Sequence, residues 1–263
     1  MWITLQCCCF AYRRETVSTF NPLPAAALDW LAVWPGARAL AVGGGPVLAR
    51  RLRDADHEVF ALGRTEMQAH RLWAVADTVT MCGRAEAIPL DARQFDVVVT
   101  HQEFHLLDAE RALPEIARVL RPGGAFSASY VIRDDSVPWV RRFAALLRHF
   151  DPDAMKGDYG HRSLETLRTS GLFPDIEQRA FRIWQPVSES DLLGLVKRQP
   201  LWAMLTDSQR SGLTGQVMDL FKASVRPGEH LRLPFQLLCW RGFVNHDNYT
   251  WATGANSALN IRV

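Results

Sequence analysis

Nothing in this 263-residue chain approaches the ~20 consecutive apolar residues that a membrane-spanning helix needs, so no membrane partner is expected. Cysteines are few: Cys7, Cys8, Cys9, Cys82 and Cys239. Their number is odd and their spacing matches no zinc or iron–sulfur ligand set, which argues against a disulfide framework and against a metal centre. Three adjacent thiols at Cys7 to Cys9 do not readily converge on one ion. A reducing cytoplasm is the simpler setting. Long basic runs are also absent, and the net charge is only +2. Strong electrostatic binding to nucleic acid is therefore not expected. Neither internal repeats nor low-complexity tracts occur. The opening "MWITLQCCCFAYRR" has its basic pair after the apolar run, the reverse of a secretory leader. Residues 1–22 are expected to be an extension outside the fold, and residues 245–263 a polar peripheral tail.

Hydrophobic residues make up 48% of the chain, enough for a substantial core. The segment "PAAALDWLAVW" has helical spacing and is stopped by Pro35-Gly36. From residue 38 to 150, strand and helix patterns alternate. "ARALAV", "HEVFAL", "DTVTMC", "FDVVVT" and "AFSASYVI" read as strands. "PVLARRLRDA", "TEMQAHRLWAVA", "DAERALPEIARVL" and "SVPWVRRFAALLRHF" read as helices, with Asp108 as the cap of the third and Ser136 or Asp135 as the cap of the last. The unbroken valines of "FDVVVT" suit a strand covered on both faces. This alternation predicts a parallel sheet with helices on both sides, joined by right-handed crossovers. After Gly171 the pattern changes. "DIEQRAFRIWQ" and "LRLPFQLLCWRGF" read as strands that flank two helices, "SESDLLGLVKRQ" and "SQRSGLTGQVMDLFKAS".

Sheets of this kind bind ligands beyond the carboxyl ends of their strands, where the strand order reverses. The loop after the first strand, Gly43, Gly44 and Gly45, lets a ligand approach bare main chain. The helix opening at Pro46 aims its N–H groups at the same place.

Downstream, "GRAEAIPLDARQFDVVVTHQEFHLLDAERALPEIARVLRPGG" resembles the class I S-adenosylmethionine-dependent methyltransferases, and within them the type 11 methyltransferase domains. The pieces carrying the resemblance are a Gly-x-Ala-Glu turn, a Phe-Asp-x-Val strand, a histidine loop and Glu-x-x-Arg-Val-Leu-Arg-Pro-Gly-Gly. The resemblance implies a doubly wound, mostly parallel, seven-stranded sheet of Rossmann-like methyltransferase type. Its last strand is antiparallel, with a helical insertion ahead of it. Residues 23–244 then form the domain and about 187–226 a helical lid.

For cofactor binding, the resemblance points to Gly43, Gly44 and Gly45 in the loop, Ala85 and Glu86 on the adenine side, and Gln102 beside the sulfonium. Two positions depart from the family. Ala41 stands where an acid helps anchor the methionyl ammonium. Gly63, followed by Arg64, stands where an acid holds the ribose. The sequence thus keeps the scaffold and loses much of the site's negative charge. His101, Glu103 and His105 cluster after the fourth strand as candidate catalytic groups. A free histidine titrates near neutrality, which suits a general base. Tyr130, Arg133, Asp134 and Trp139 follow the fifth strand as candidate substrate contacts. The activity implied is methyl transfer from S-adenosylmethionine to a small, partly apolar molecule. The alternative is a repurposed or catalytically silent methyltransferase-fold protein with a binding or dimerisation role. A homodimer is compatible with either.

Overall fold

The computed structural model describes residues 23–152, 161–225 and 229–247. The Cys7–Cys9 run, residues 1–22 and residues 248–263 lie outside the described residues.

The chain opens with α1 (Ala25–Ala32), then β1 (Arg38–Val42), α2 (Gly45–Asp54), β2 (Glu58–Gly63), α3 (Glu66–Ala76), β3 (Val79–Cys82) and β4 (Phe95–His101). A single 3-10 turn (Phe104–Leu106) leads into α4 (Ala109–Val119). Next come β5 (Leu120–Arg133), α5 (Pro138–Arg148) and α6 (His161–Thr169). The last part holds β6 (Asp175–Val187), α7 (Glu189–Lys197), α8 (Leu201–Met204), α9 (Asp207–Ser224) and β7 (Leu231–Phe243).

Seven strands form one sheet in the order β3-β2-β1-β4-β5-β7-β6. The first five run parallel, and β7 runs antiparallel to both β5 and β6. This is the expected seven-stranded arrangement. Strand alternation sends successive side chains to opposite faces. Ala39, Ala41, Val97 and Val99 pack with α1 and α2 on one face, and Leu40, Val42, Val98 and Phe126 pack with α4 on the other. Both faces are covered, as the continuous valines of β4 required.

One local expectation needs correction, one holds in position without its hydrogen bond, and one helix was not read from the sequence. Helix α5 begins at Val137-Pro138 without a side-chain cap; the Ser136 hydroxyl accepts from Arg182 at 3.2 Å, and its N–H donates to Asp134 Oδ1 at 3.0 Å. Asp108 does occupy the N-cap position of α4, but its side chain makes no capping hydrogen bond. Helix α6 was not anticipated, being short and strongly polar. It buries Leu164 and Leu167 against the α4 side of the core.

Among the described residues, three helices, rather than two, lie between β6 and β7. They share an apolar cluster with α5, built from Phe143, Leu147, Leu192, Val196, Leu213 and Val217. Ser188 and Thr206 close reciprocal capping boxes at the starts of α7 and α9. These two boundaries are therefore fixed locally, whatever the rest of the chain does.

Candidate functional site

Strand β1 feeds α2 onto one face and its neighbour β4 feeds α4 onto the other. The strand order reverses between them, and Gly43, Gly44 and Gly45 occupy that point. All three have left-handed backbones, with φ of 70°, 71° and 61°. No L-residue tolerates this easily, and three in succession are costly for anything but glycine. Their neighbours differ. A β-carbon on Gly45 would meet nothing within 4 Å. On Gly44 it would press on Leu48 at 3.0 Å and His101 at 3.2 Å. On Gly43 it would fall inside the Glu103 side chain, 2.6 Å from its Cδ and Cγ.

The loop after β4 supplies the opposite wall. His101 is buried beneath Gly44, with Nδ1 2.8 Å from Ser129 Oγ. Burial drives its pKa down to about 4, so the ring is neutral at physiological pH. Gln102 adopts φ 57° and donates its N–H to Ser129 O at 2.8 Å. A non-glycine residue held there is strained, a condition that tends to gather at ligand sites. Phe104 anchors the turn edge-on against Phe126, at 5.0 Å between ring centroids. His105 is exposed and leans on the ring of Tyr130 at 5.5 Å. Tyr130 itself is enclosed, packed edge-on against Trp240 at 5.4 Å. Burial pushes its hydroxyl up to about 12, opposed by the Ser163 side chain and the His105 main chain. The two loop histidines are thus separated, one sealed in the core and one at the surface.

The two positions that lack an acid are closed by packing. Ala41 is buried with Leu48, Ala49, Ala61 and Val99. Gly63 is pressed against the first turn of α3, and a β-carbon there would lie 2.5 Å from Ala69 N. Arg64 is exposed beside it, its N–H donating to Gln68 Oε1 at 3.0 Å.

In the β3–β4 connection, Ala85 is buried. The Glu86 carboxylate accepts the Asp108 N–H at 3.1 Å and pairs with Arg84 at 3.2 Å. Burial works to raise the Glu86 pKa, but these partners outweigh it and hold the carboxyl below its ordinary value. Glu86 therefore ties the β3–β4 connection to the start of α4.

A second clasp went unread in the sequence. Arg118 donates to Leu90 O at 2.8 Å and Ile88 O at 2.9 Å, while Glu115 accepts the Ile88 N–H at 2.9 Å. Glu115 and Arg118 also pair at 2.8 Å, and that hydrogen bond lowers the Glu115 pKa. The Glu-x-x-Arg spacing, i and i+3 on one helix face, was the available signal. Asp96 acts similarly, accepting the Arg38 N–H and an Arg121 guanidinium N–H, each at 2.8 Å.

Beyond β5 the structure disperses the predicted substrate contacts. Arg133 is the last residue of that strand, and its side chain lies outside the described residues. Asp134 is buried and bridges to Arg182 at 2.8 Å. The Ser136 hydroxyl, aided by Arg182 and Gln236, holds the Asp134 carboxyl below the usual carboxylate range. Trp139 lines an open cavity of about 840 Å³ together with Trp184, Val137, Val225 and Arg232. Among the described residues, no three His, Cys, Asp or Glu side chains cluster to hold a metal ion, and no helix is long and apolar enough to cross a membrane.

Comparison with known proteins agrees with this geometry. Residues 40–128 match the family model described as a methyltransferase domain, of type 11. The uncharacterized methyltransferase Rv3342 of Mycobacterium tuberculosis is 39% identical over 145 residues, which is 54% of this chain and 58% of that protein. The chain therefore spans little more than half the length of the curated relatives it matches. The ubiquinone/menaquinone biosynthesis C-methyltransferase UbiE of Acidiphilium cryptum is 38% identical over 122 residues, 44% of this chain and 46% of that one. A solved structure from Anaeromyxobacter dehalogenans, assigned as a type II methyltransferase, superposes with a TM-score of 0.62. Its sequence is 21% identical, and the match covers 84% of this chain and 96% of that one. At that identity the superposition establishes the shared fold. With the strand order, the glycine loop and the sequence match in agreement, residues 40–128 are similar to type 11 methyltransferase domains, and the chain shares the fold of solved methyltransferase structures.

Proposed function

We propose that this chain transfers a methyl group from S-adenosylmethionine to a small, partly apolar acceptor. The observation that carries the reading is the run of three left-handed glycines at the strand-order reversal, walled by the β4 loop. The cofactor is cationic at its methionyl and sulfonium end. The bare main chain of Gly43 to Gly45, the half-buried Glu103 beside it and the strained Gln102 fit that end. At the ribose end Gly63 offers main chain alone.

When bound, the cofactor supplies an electrophilic methyl group on sulfur. The protein's task is to align an acceptor and exclude water. Gln102 sits where a side-chain amide can orient the reacting pair. His105, at the surface of the same loop, is the imidazole able to accept an acceptor's proton. His101 keeps the loop in place. We take residues 23–244 as the functional unit, with about 187–226 as a lid. The cavity containing Trp139 and Trp184 supports an acceptor with an apolar, flat portion, since indole rings offer large apolar contact area.

Calorimetric titration tests the reading. Dissociation constants in the micromolar range are expected for S-adenosylmethionine and S-adenosylhomocysteine. Absence of binding at millimolar ligand would overturn it.

A further inference from the structure

We infer that Glu103 supplies the negative charge facing the cationic methionyl end of the cofactor, in place of the acids absent at positions 41 and 63. The inference rests on the proposed function and deepens it.

Three observations converge. First, the Glu103 side chain lies directly on the first glycine: a β-carbon on Gly43 would come within 2.6 to 2.7 Å of its Cβ, Cγ and Cδ together. Gly43 is therefore required for more than its φ of 70°. Any larger residue would evict Glu103 from the loop. Second, the carboxylate is only half-buried and accepts no hydrogen bond and joins no ion pair among the described residues. Asp96, Glu86, Glu115 and Asp134 are each engaged by an arginine and a main-chain N–H. Glu103 has no such structural duty. Third, packing shuts acids out of the two positions where the family carries them. Ala41 is in the apolar interior and Gly63 abuts the α3 main chain. An unpartnered carboxylate beside a bare glycine loop, near the N-terminal end of α2, is a place for a cation.

The charge sits on the far wall of the cleft rather than at the end of β1. It is brought against the loop by the turn that buries Phe104. The lost electrostatics would thus be restored from a neighbouring strand, at a position the glycine motif does not announce.

The test is calorimetry on the full chain with Glu103→Gln and Glu103→Asp. Glutamine keeps the shape and removes the charge. Affinity for S-adenosylmethionine should fall about tenfold or more, the effect of losing one charge-assisted contact. Aspartate, which withdraws the charge by one methylene, should fall between. The thermal unfolding of the unliganded protein should not move. S-adenosylhomocysteine keeps the ammonium but lacks the sulfonium, so an equal loss for both ligands assigns Glu103 to the ammonium. A loss confined to S-adenosylmethionine assigns it to the sulfonium. Unchanged affinity in Glu103→Gln would overturn the inference, as would tighter binding, which would make Glu103 an obstruction. Failure of the unmodified protein to bind either ligand would instead defeat the function proposed above.

Discussion

Gly63 and the main chain of Ala69 touch so closely that no side chain fits between them. A β-carbon on Gly63 would stand 2.5 Å from Ala69 N and 2.9 Å from its Cα. The contact fixes the entry of α3 onto the end of β2, and it leaves no room at Gly63 for an acidic side chain.

Reintroducing the two acids should therefore damage the fold rather than improve binding. Gly63→Asp forces α3 away from the strand and should cost about 2 kcal/mol or more. Ala41→Asp places a carboxylate among Leu48, Ala49, Ala61 and Val99 with no partner, at about 3 kcal/mol or more near neutral pH. Denaturant unfolding measures both. A variant that kept full stability and bound S-adenosylmethionine more tightly would contradict the packing described.

Protein stability should fall in mild acid because of His101. Its folded-state pKa is depressed to about 4 by burial, against an ordinary 6.5. Between these values the unfolded chain binds the proton and the folded chain does not. Stability therefore rises with pH across that window, and is lost as pH drops from about 6.5 toward 4. Full displacement of the equilibrium is worth about 3 kcal/mol. Unfolding free energies at a series of pH values, for the protein and for His101→Asn, provide the check. Asparagine can still meet Ser129, and its profile should lose most of this slope.

The Glu115–Arg118 clasp should hold the β3–β4 connection. Arg118→Lys keeps the charge but cannot reach Ile88 O, Leu90 O and Glu115 at once with a forked donor. It should cost about 1–2 kcal/mol. Amide exchange should speed up in residues 86–90 before it changes in β1 or β4. Uniform change across the sheet would mean that the clasp supports the whole core rather than this loop.

Much of the fold was readable because its signals are local. Alternation of apolar runs with amphipathic segments defined the parallel half of the sheet. Gly43 to Gly45 marked the turn that needs left-handed backbone, and the span read for β7 agrees residue for residue. Helix α6 escaped because a short polar helix with two buried leucines gives little periodic signal. The α5 cap was misplaced because Ser136 answers to Asp134 and, through Arg182, to β6, distant in sequence.

The candidate site was readable as a neighbourhood and not as an arrangement. "THQEFH" put two histidines and a glutamate after β4, but strand alternation and the following 3-10 turn separated them. His101 faces the core, Glu103 faces Gly43 and His105 faces outward. Tyr130, which lies within β5, and Asp134, just beyond it, are taken up by an aromatic stack and an ion pair.

By itself the sequence determined the order and type of most elements, and the bare glycine turn at the end of β1, since these follow from hydrophobic period and backbone freedom. Only the tertiary structure decided which charges remain free to meet a ligand. That depends on packing between segments far apart in the chain, which enclosed Ala41, left no room at Gly63 and laid Glu103 across Gly43.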